Sequence, residues 1–151
     1  MSQFRFRLQR LLEIRQRTER EAATRLVDAT NEADAARRAR SELASVRAAG
    51  REQFLVSAPS PVGMLHNLSY VLARLDERLE SAATTVAAAE HSVAKVEGEL
   101  REAFRARHIL DRLRDRQHDE WKISAANADR ATMDAVALSR FTQRPDAADQ
   151  G

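Results

Sequence analysis

Steps of three and four residues from Leu65 to Ala103 visit Leu65, Leu68, Leu72, Leu75, Leu79, Ala82, Val86, Ala89, Val93, Val96, Leu100 and Ala103, and every one is apolar. A stripe that repeats every 3.5 residues stays on one face of a helix only if that helix winds against a partner, so the stretch is a coiled-coil seam. Between the seam positions stand Arg74, Asp76, Glu77, Arg78, Glu80, Glu90, Lys95, Glu97, Glu99 and Arg101. They form a solvated outer face and exclude a helix buried all round. The first five seam residues are leucine, whereas the middle alternates alanine with valine. Burial of larger side chains stabilises more, so the coil is expected to be anchored at Leu72, Leu75 and Leu79.

The partner is expected within the same chain. Ahead of the seam, Phe4, Leu8, Leu11 and Leu12 give one apolar stripe, which thins into Ala22, Leu26, Ala29, Ala33, Ala36, Leu43 and Val46 with Arg40 in a nominal core slot. Such a helix is marginal alone. Gly50 weakens its end, so fraying is expected between Gly50 and Val56. Ser57, Pro59, Ser60, Pro61 and Gly63 then interrupt it, and Ser60 with Pro61 forms an N-cap and first-turn pair for a second helix.

A short break between two long helices implies an antiparallel hairpin. Folding about residue 60 sets Leu43 and Val46 against Leu72, Leu75 and Leu79. It likewise sets Leu8 and Leu12 against Ile109, Leu110 and Leu113. The expected fold is therefore all-α, a long two-helix antiparallel coiled-coil hairpin. One coiled-coil domain is expected over residues 1–144, with a helix over 3–56, capped by Ser2, a turn over 57–61 and a helix over 62–142. A disordered tail is expected over 145–151.

The second helix carries its stripe past a stumble at Arg107 through Leu110, Leu113, Trp121, Ala128, Ala131, Ala135 and Leu138. At 1.5 Å per residue it spans about 110 Å against about 80 Å for the first. The C-terminal helix is thus expected to overhang.

Composition excludes most chemistry. With 4 glycines, 3 prolines and 5% aromatics, little is left for turns, a sheet or a substrate cavity. The absence of cysteine removes disulfides and thiolate chemistry and fits a reducing compartment. No apolar run approaches the roughly 18 residues of a membrane span, and a soluble, unexported protein is expected. There is no phosphate-binding loop or zinc signature. His66, His91, His108 and His118 show no three- or four-residue spacing that would put two on one helical face, and each reads as a solvated surface residue. No catalytic residue, cofactor or metal ligand is expected, and no small-molecule substrate.

What remains is charge. Residues 1–20 hold six arginines against Glu13 and Glu19, a net +4, and residues 101–118 hold six against Glu102, Asp111 and Asp115, a net +3. Residues 60–100 carry −3. Closing the hairpin brings the two basic clusters to one end. Three readings stand there: ordinary solvated faces, a nucleic-acid arm, and a tip that docks on an acidic protein surface. Acidic residues interrupt both clusters, which disfavours nucleic acid. Mixed charge with Phe4, Phe6 and Trp121 suits a protein surface, although Trp121 serves equally as a plug at the end of the seam.

The opening Phe4-Arg5-Phe6-Arg7-Leu8-Gln9-Arg10-Leu11-Leu12-Glu13-Ile14-Arg15 resembles the start of the flagellar export protein FliJ family. Asp119-Glu120-Trp121 and the segment from Asp134 to Phe141 resemble its C-terminal helix, with Ala135 where a second acidic residue is usual. Tyr70-Val71-Leu72-Ala73-Arg74-Leu75-Asp76 is also similar.

The resemblance implies a non-enzymatic protein of the type III export apparatus for flagellum biogenesis. It would be cytoplasmic, peripherally held at the inner face of the cell membrane; that it is a monomer is expected from the Pro59–Pro61 break and the matching of the two seams. Its implied partners are the hexameric export ATPase, which it binds and stimulates, the membrane-embedded export gate and export chaperones. Residue by residue, the ATPase docking tip would consist of Phe4, Arg5, Phe6, Arg7, Leu8, Arg10, Leu11, Trp121, Asp134, Arg140 and Phe141, with Gln9 among the matched positions. The stalk protein of a virulence type III secretion system, and a structural or nucleic-acid-binding coiled coil, are the alternatives.

Overall fold

A computed structural model describes residues 3–56 and 62–142. Two helices account for nearly all of them: α1 (Gln9–Val56) and α2 (Val62–Thr142). They pack against each other, and no strand occurs among the described residues. The turn expected over 57–61 and the tail over 145–151 lie outside the described residues. The chain divides into two compact units, Met1–Gln16 with Arg105–Gly151, and Arg17–Phe104.

In the unit Arg17–Phe104 ion pairs cross between the helices at three places along the described residues. Arg25 Nη1 lies 3.1 Å from Glu99, Arg37 Nη2 lies 2.8 Å from Glu90, and Arg47 grips Asp76 through both carboxylate oxygens. An advance of 22 residues on α1, from 25 to 47, is matched by a retreat of 23 on α2, from 99 to 76, so the helices are antiparallel. Arg25 meets Glu99, not position 95 as folding about residue 60 requires. The pair midpoints fall at 62, 63.5 and 61.5, close to the start of α2. Hydrogen bonds from Arg37 to Glu90 and then Asp34, and from Arg47 to Asp76, raise both guanidinium pKa values above the ordinary arginine range.

The α2 seam faces α1 as its spacing requires. Val86 and Ala103 are buried, and the other described seam positions from Leu68 to Leu100 are half-buried. Ala22, Ala29 and Ala33 of α1 are buried, because small side chains let the helices close completely over them. The leucines at 72, 75 and 79 are only half-covered, since a two-helix hairpin leaves one flank of every seam residue in water.

Two expectations on α1 are overturned here. Val46 is 57% exposed, and Arg47 is half-buried in its stead. A second successive step of three from Arg40 through Leu43 rotates Val46 away from the stripe, whereas a step of four restores the phase. Nor does α1 fray at Gly50, for it remains helical to Val56. A Cβ built on Gly50 would meet Leu72 Cδ2 at 3.6 Å, ordinary van der Waals contact.

Candidate docking tip

The unit Met1–Gln16 with Arg105–Gly151 begins with a departure from expectation: α1 starts at Gln9, and residues 3–6 are not helical. Phe4 and Phe6 are the reason. Two residues apart, they would point about 200° from each other on a helix but share one face of an extended segment. Here both turn inward. Phe6 is 8% exposed and forms a core with Leu12 (0%) and Leu110 (9%), flanked by Phe4 and Leu113. Of the pairing expected between Leu8 and Leu12 and the trio Ile109, Leu110 and Leu113, the structure brings Leu12 together with Leu110 and Leu113, whereas Ile109 is 67% exposed and Leu8 39%.

The helix is then entered tightly. The Gln9 backbone N–H donates to the Phe6 carbonyl at 3.1 Å, and Leu12 N–H donates to the Leu8 carbonyl at 2.9 Å. Gln9 Nε2 adds a bond to Glu13 at 3.0 Å, one turn along.

Phe4 completes an aromatic trio. Its ring centroid lies 5.0 Å from His118 and 6.0 Å from Trp121, tilted by 57° and 52°, while His118 and Trp121 stack at 6.0 Å with only 8° between planes. These are favourable offset and edge-directed geometries for rings. His118 is thus a half-buried ring partner and not the solvated surface residue expected. Its position three residues before Trp121, on one helical face, is the signal that reveals it.

With the aromatics turned inward, the alternation Phe-Arg-Phe-Arg turns Arg5 and Arg7 outward. Both are exposed, as is Arg10, and none has a carboxylate partner among the described residues. Leu8 and Leu11, at 39% and 38%, are the partly uncovered apolar side chains beside them. The second basic cluster is different. Arg107 pairs with Asp111, Arg114 with Asp111 at 3.7 Å and Asp115 at 3.1 Å, and Arg116 with Glu120 at 3.6 Å. Lys122 pairs with Asp119 at 3.2 Å. Arg101, bonded only to the Glu97 carbonyl, and Arg112 are exposed without a carboxylate partner among the described residues, so the second cluster is paired in part, whereas Arg5, Arg7 and Arg10 are all unpaired.

The remaining matched residues stand apart. Beyond Ala125 every described residue of α2 is exposed, including the expected stripe Ala128, Ala131, Ala135 and Leu138. Asp134 lies about 20 Å along the helix from Trp121, and Phe141 about 30 Å. Phe141 is 77% exposed and Arg140 is exposed in the last turn. The fold joins Phe4, Phe6 and Trp121 in one cluster and does not bring Asp134, Arg140 or Phe141 to it. No group of three His, Cys, Asp or Glu suited to a metal ion occurs among the described residues.

The family model described as Flagellar FliJ protein matches residues 4–146. No curated protein and no solved structure matches the chain.

Proposed function

Because the chain belongs to the flagellar FliJ protein family, and is thereby a component of the flagellar export apparatus, we propose that it binds and stimulates the export ATPase ring through the N-terminal segment. The family is not known as an enzyme, and the proposed role is that of a monomeric partner. The observation that carries it is the ordered segment of residues 4–11: Phe4 and Phe6 fasten it to α2, and Arg5, Arg7 and Arg10 stand unpaired in solvent beside Leu8 and Leu11. A pre-ordered segment loses little conformational freedom on docking. Its arginines suit an acidic surface, and the two leucines supply the apolar part of the contact.

The exposed end of α2, with Asp134, Arg140 and Phe141, is proposed as a second, separate contact on the same ring. The remainder of the hairpin is proposed to contact the export gate and export chaperones, which would hold the protein at the inner face of the membrane. No helix among the described residues is long and apolar enough to cross one.

The test is ATP hydrolysis by the purified cognate ATPase with and without this chain. Arg5→Glu, Arg7→Glu and Arg10→Glu together should abolish stimulation, most strongly at low ionic strength, with helicity unchanged. Full stimulation by the triple variant would overturn the proposal. Tight, salt-sensitive binding to random DNA with no effect on the ATPase would favour a nucleic-acid arm. Deleting residues 2–12 is unsuitable, because it removes Phe6 and Leu12 from the core.

A further inference from the structure

From Gln53 to Ala73 the sequence holds no Asp, Glu, Lys or Arg in 21 positions, although 32% of the chain is charged. The window covers the end of α1 and the beginning of α2, and five of its described apolar side chains are open to solvent, beside the exposed uncharged Gln53, His66, Asn67 and Ser69. Leu55 is 71% exposed, Val56 79%, Met64 60%, Tyr70 68% and Val71 50%. A soluble surface does not ordinarily collect such residues without something to cover them.

Their directions say what kind of cover fits. Phe54 and Leu72 are half-buried and mark the sides of α1 and α2 that face each other. Val56 lies two residues from Phe54, and Tyr70 two from Leu72, so each points about 200° away from the facing side. Leu55 and Val71, one residue away, flank it. Uncharged apolar side chains therefore occur on the outer sides and flanks of both helices, not along one stripe. A protein groove takes one stripe of a helix. An apolar medium that imposes no direction takes all of them.

The charged boundary is level on the two helices. Gly50 lies against Leu72, and charge resumes at Arg51 and Glu52 on α1 and at Arg74 on α2, each within two residues of that level. From Leu72 to Met64 is about 12 Å of helix, comparable with the 5–10 Å to which interfacial elements enter a bilayer. Tyr70, with an apolar ring and a polar hydroxyl, sits near the boundary, where such residues favour the membrane–water interface. The collar over 47–52 and 74–80 holds four arginines and four carboxylates. It is neutral, so it has no preference for anionic headgroups.

We propose that this end of the hairpin is a membrane-contact site that inserts Leu55, Val56, Met64, Tyr70 and Val71 into the interfacial layer of a lipid bilayer, driven by apolar burial and independent of lipid charge. It is a site distinct from the ATPase-docking segment.

The experiment uses the full chain with phosphatidylcholine vesicles, and with vesicles that also contain phosphatidylglycerol. Co-flotation measures partitioning. Because the chain has no cysteine, Met64→Cys accepts one environment-sensitive dye, which should shift to shorter wavelength on vesicle addition. Val56→Glu and Tyr70→Glu should each lower partitioning on the order of tenfold or more, and Val56→Ala should lower it less. Ile123→Glu, an exposed apolar position outside the window, should leave it unchanged, as should the phosphatidylglycerol. Circular dichroism should show equal helicity throughout, and ATPase stimulation should survive Val56→Glu.

No partitioning of the parent chain, equal partitioning of Val56→Glu, or partitioning that requires phosphatidylglycerol would each overturn the proposal. So would loss, in these variants, of lipid-free binding to a protein of the export apparatus when the parent chain ignores vesicles.

Discussion

Leu12 is the largest fully buried side chain among the described residues, at 0% exposure, in a core with Phe6 and Leu110 and with Phe4 and Leu113 packed against it. Leu12→Ala removes three heavy carbons from a site closed by three elements: the N-terminal segment, α1 and α2. Substitutions of this kind cost about 2–5 kcal/mol, depending on how far the surroundings collapse. Because Phe4 and Phe6 are tethered by a short segment, they can follow the lost volume in part, and we expect about 2–4 kcal/mol. Leu8→Ala, at 39% exposure, removes far less buried area and should cost under about 1 kcal/mol. Urea unfolding followed by far-ultraviolet circular dichroism gives both values, and Trp121, the single tryptophan, reports this unit separately by its emission. Equal losses at positions 8 and 12 would refute the placement of the core. A loss at Leu12 below that at Leu75, which is only half-buried, would do the same.

Gly50→Ala should stabilise the chain by about 0.5–1 kcal/mol, since the new methyl lands in ordinary contact with Leu72; a lowered melting temperature would contradict the regular helix at that position. Phe4→Ala should move Trp121 emission to longer wavelength without loss of helical circular dichroism, because Phe4 lies outside α1 yet touches the indole. Raised salt should weaken the Arg25, Arg37 and Arg47 pairs, and Arg37→Gln should blunt the salt dependence of the melting temperature. As for pH, a guanidinium whose pKa is raised on folding stabilises below its unfolded value and loses that contribution only as pH climbs through the folded one. The contribution of these two arginines should therefore be flat across the neutral range, and a fall in it between neutral and mildly alkaline pH would count against the pairs.

How much of this was legible in the sequence depended on the length of each pattern. The seam from Leu65 to Ala103 repeats often enough to declare α2 and its need for a partner, and the proline pair located the break. Period two over Phe4-Arg5-Phe6-Arg7 is as real a signal. It spans only four residues, however, and Leu8, Leu11 and Leu12 follow at helical spacing, so a helix from Gln3 absorbed it. The structure separates the two because Phe4 and Phe6 both find apolar cover on α2. On the weak stripe of α1, composition favoured Val46, whereas helical phase favoured Arg47, and phase won because Arg47 can bury its stem and still reach Asp76. His118 was hidden for another reason: its ring contacts depend on where Phe4 returns in space. The difference between paired and unpaired arginines in the two basic clusters likewise required the side-chain geometry of α2.

The central claim is that unpaired arginines on an aromatically anchored segment dock on the export ATPase. Its most direct test is equilibrium binding of the intact chain to the purified ATPase across a salt series, for the parent and for the variant with Arg5→Glu, Arg7→Glu and Arg10→Glu. Trp121 emission should confirm in each case that the anchor is intact. Parent affinity should fall as salt rises, and the variant should bind on the order of a hundredfold more weakly at low salt, with the difference narrowing at high salt. A variant that binds as tightly as the parent at every salt concentration, with its Trp121 emission unchanged, would contradict the account.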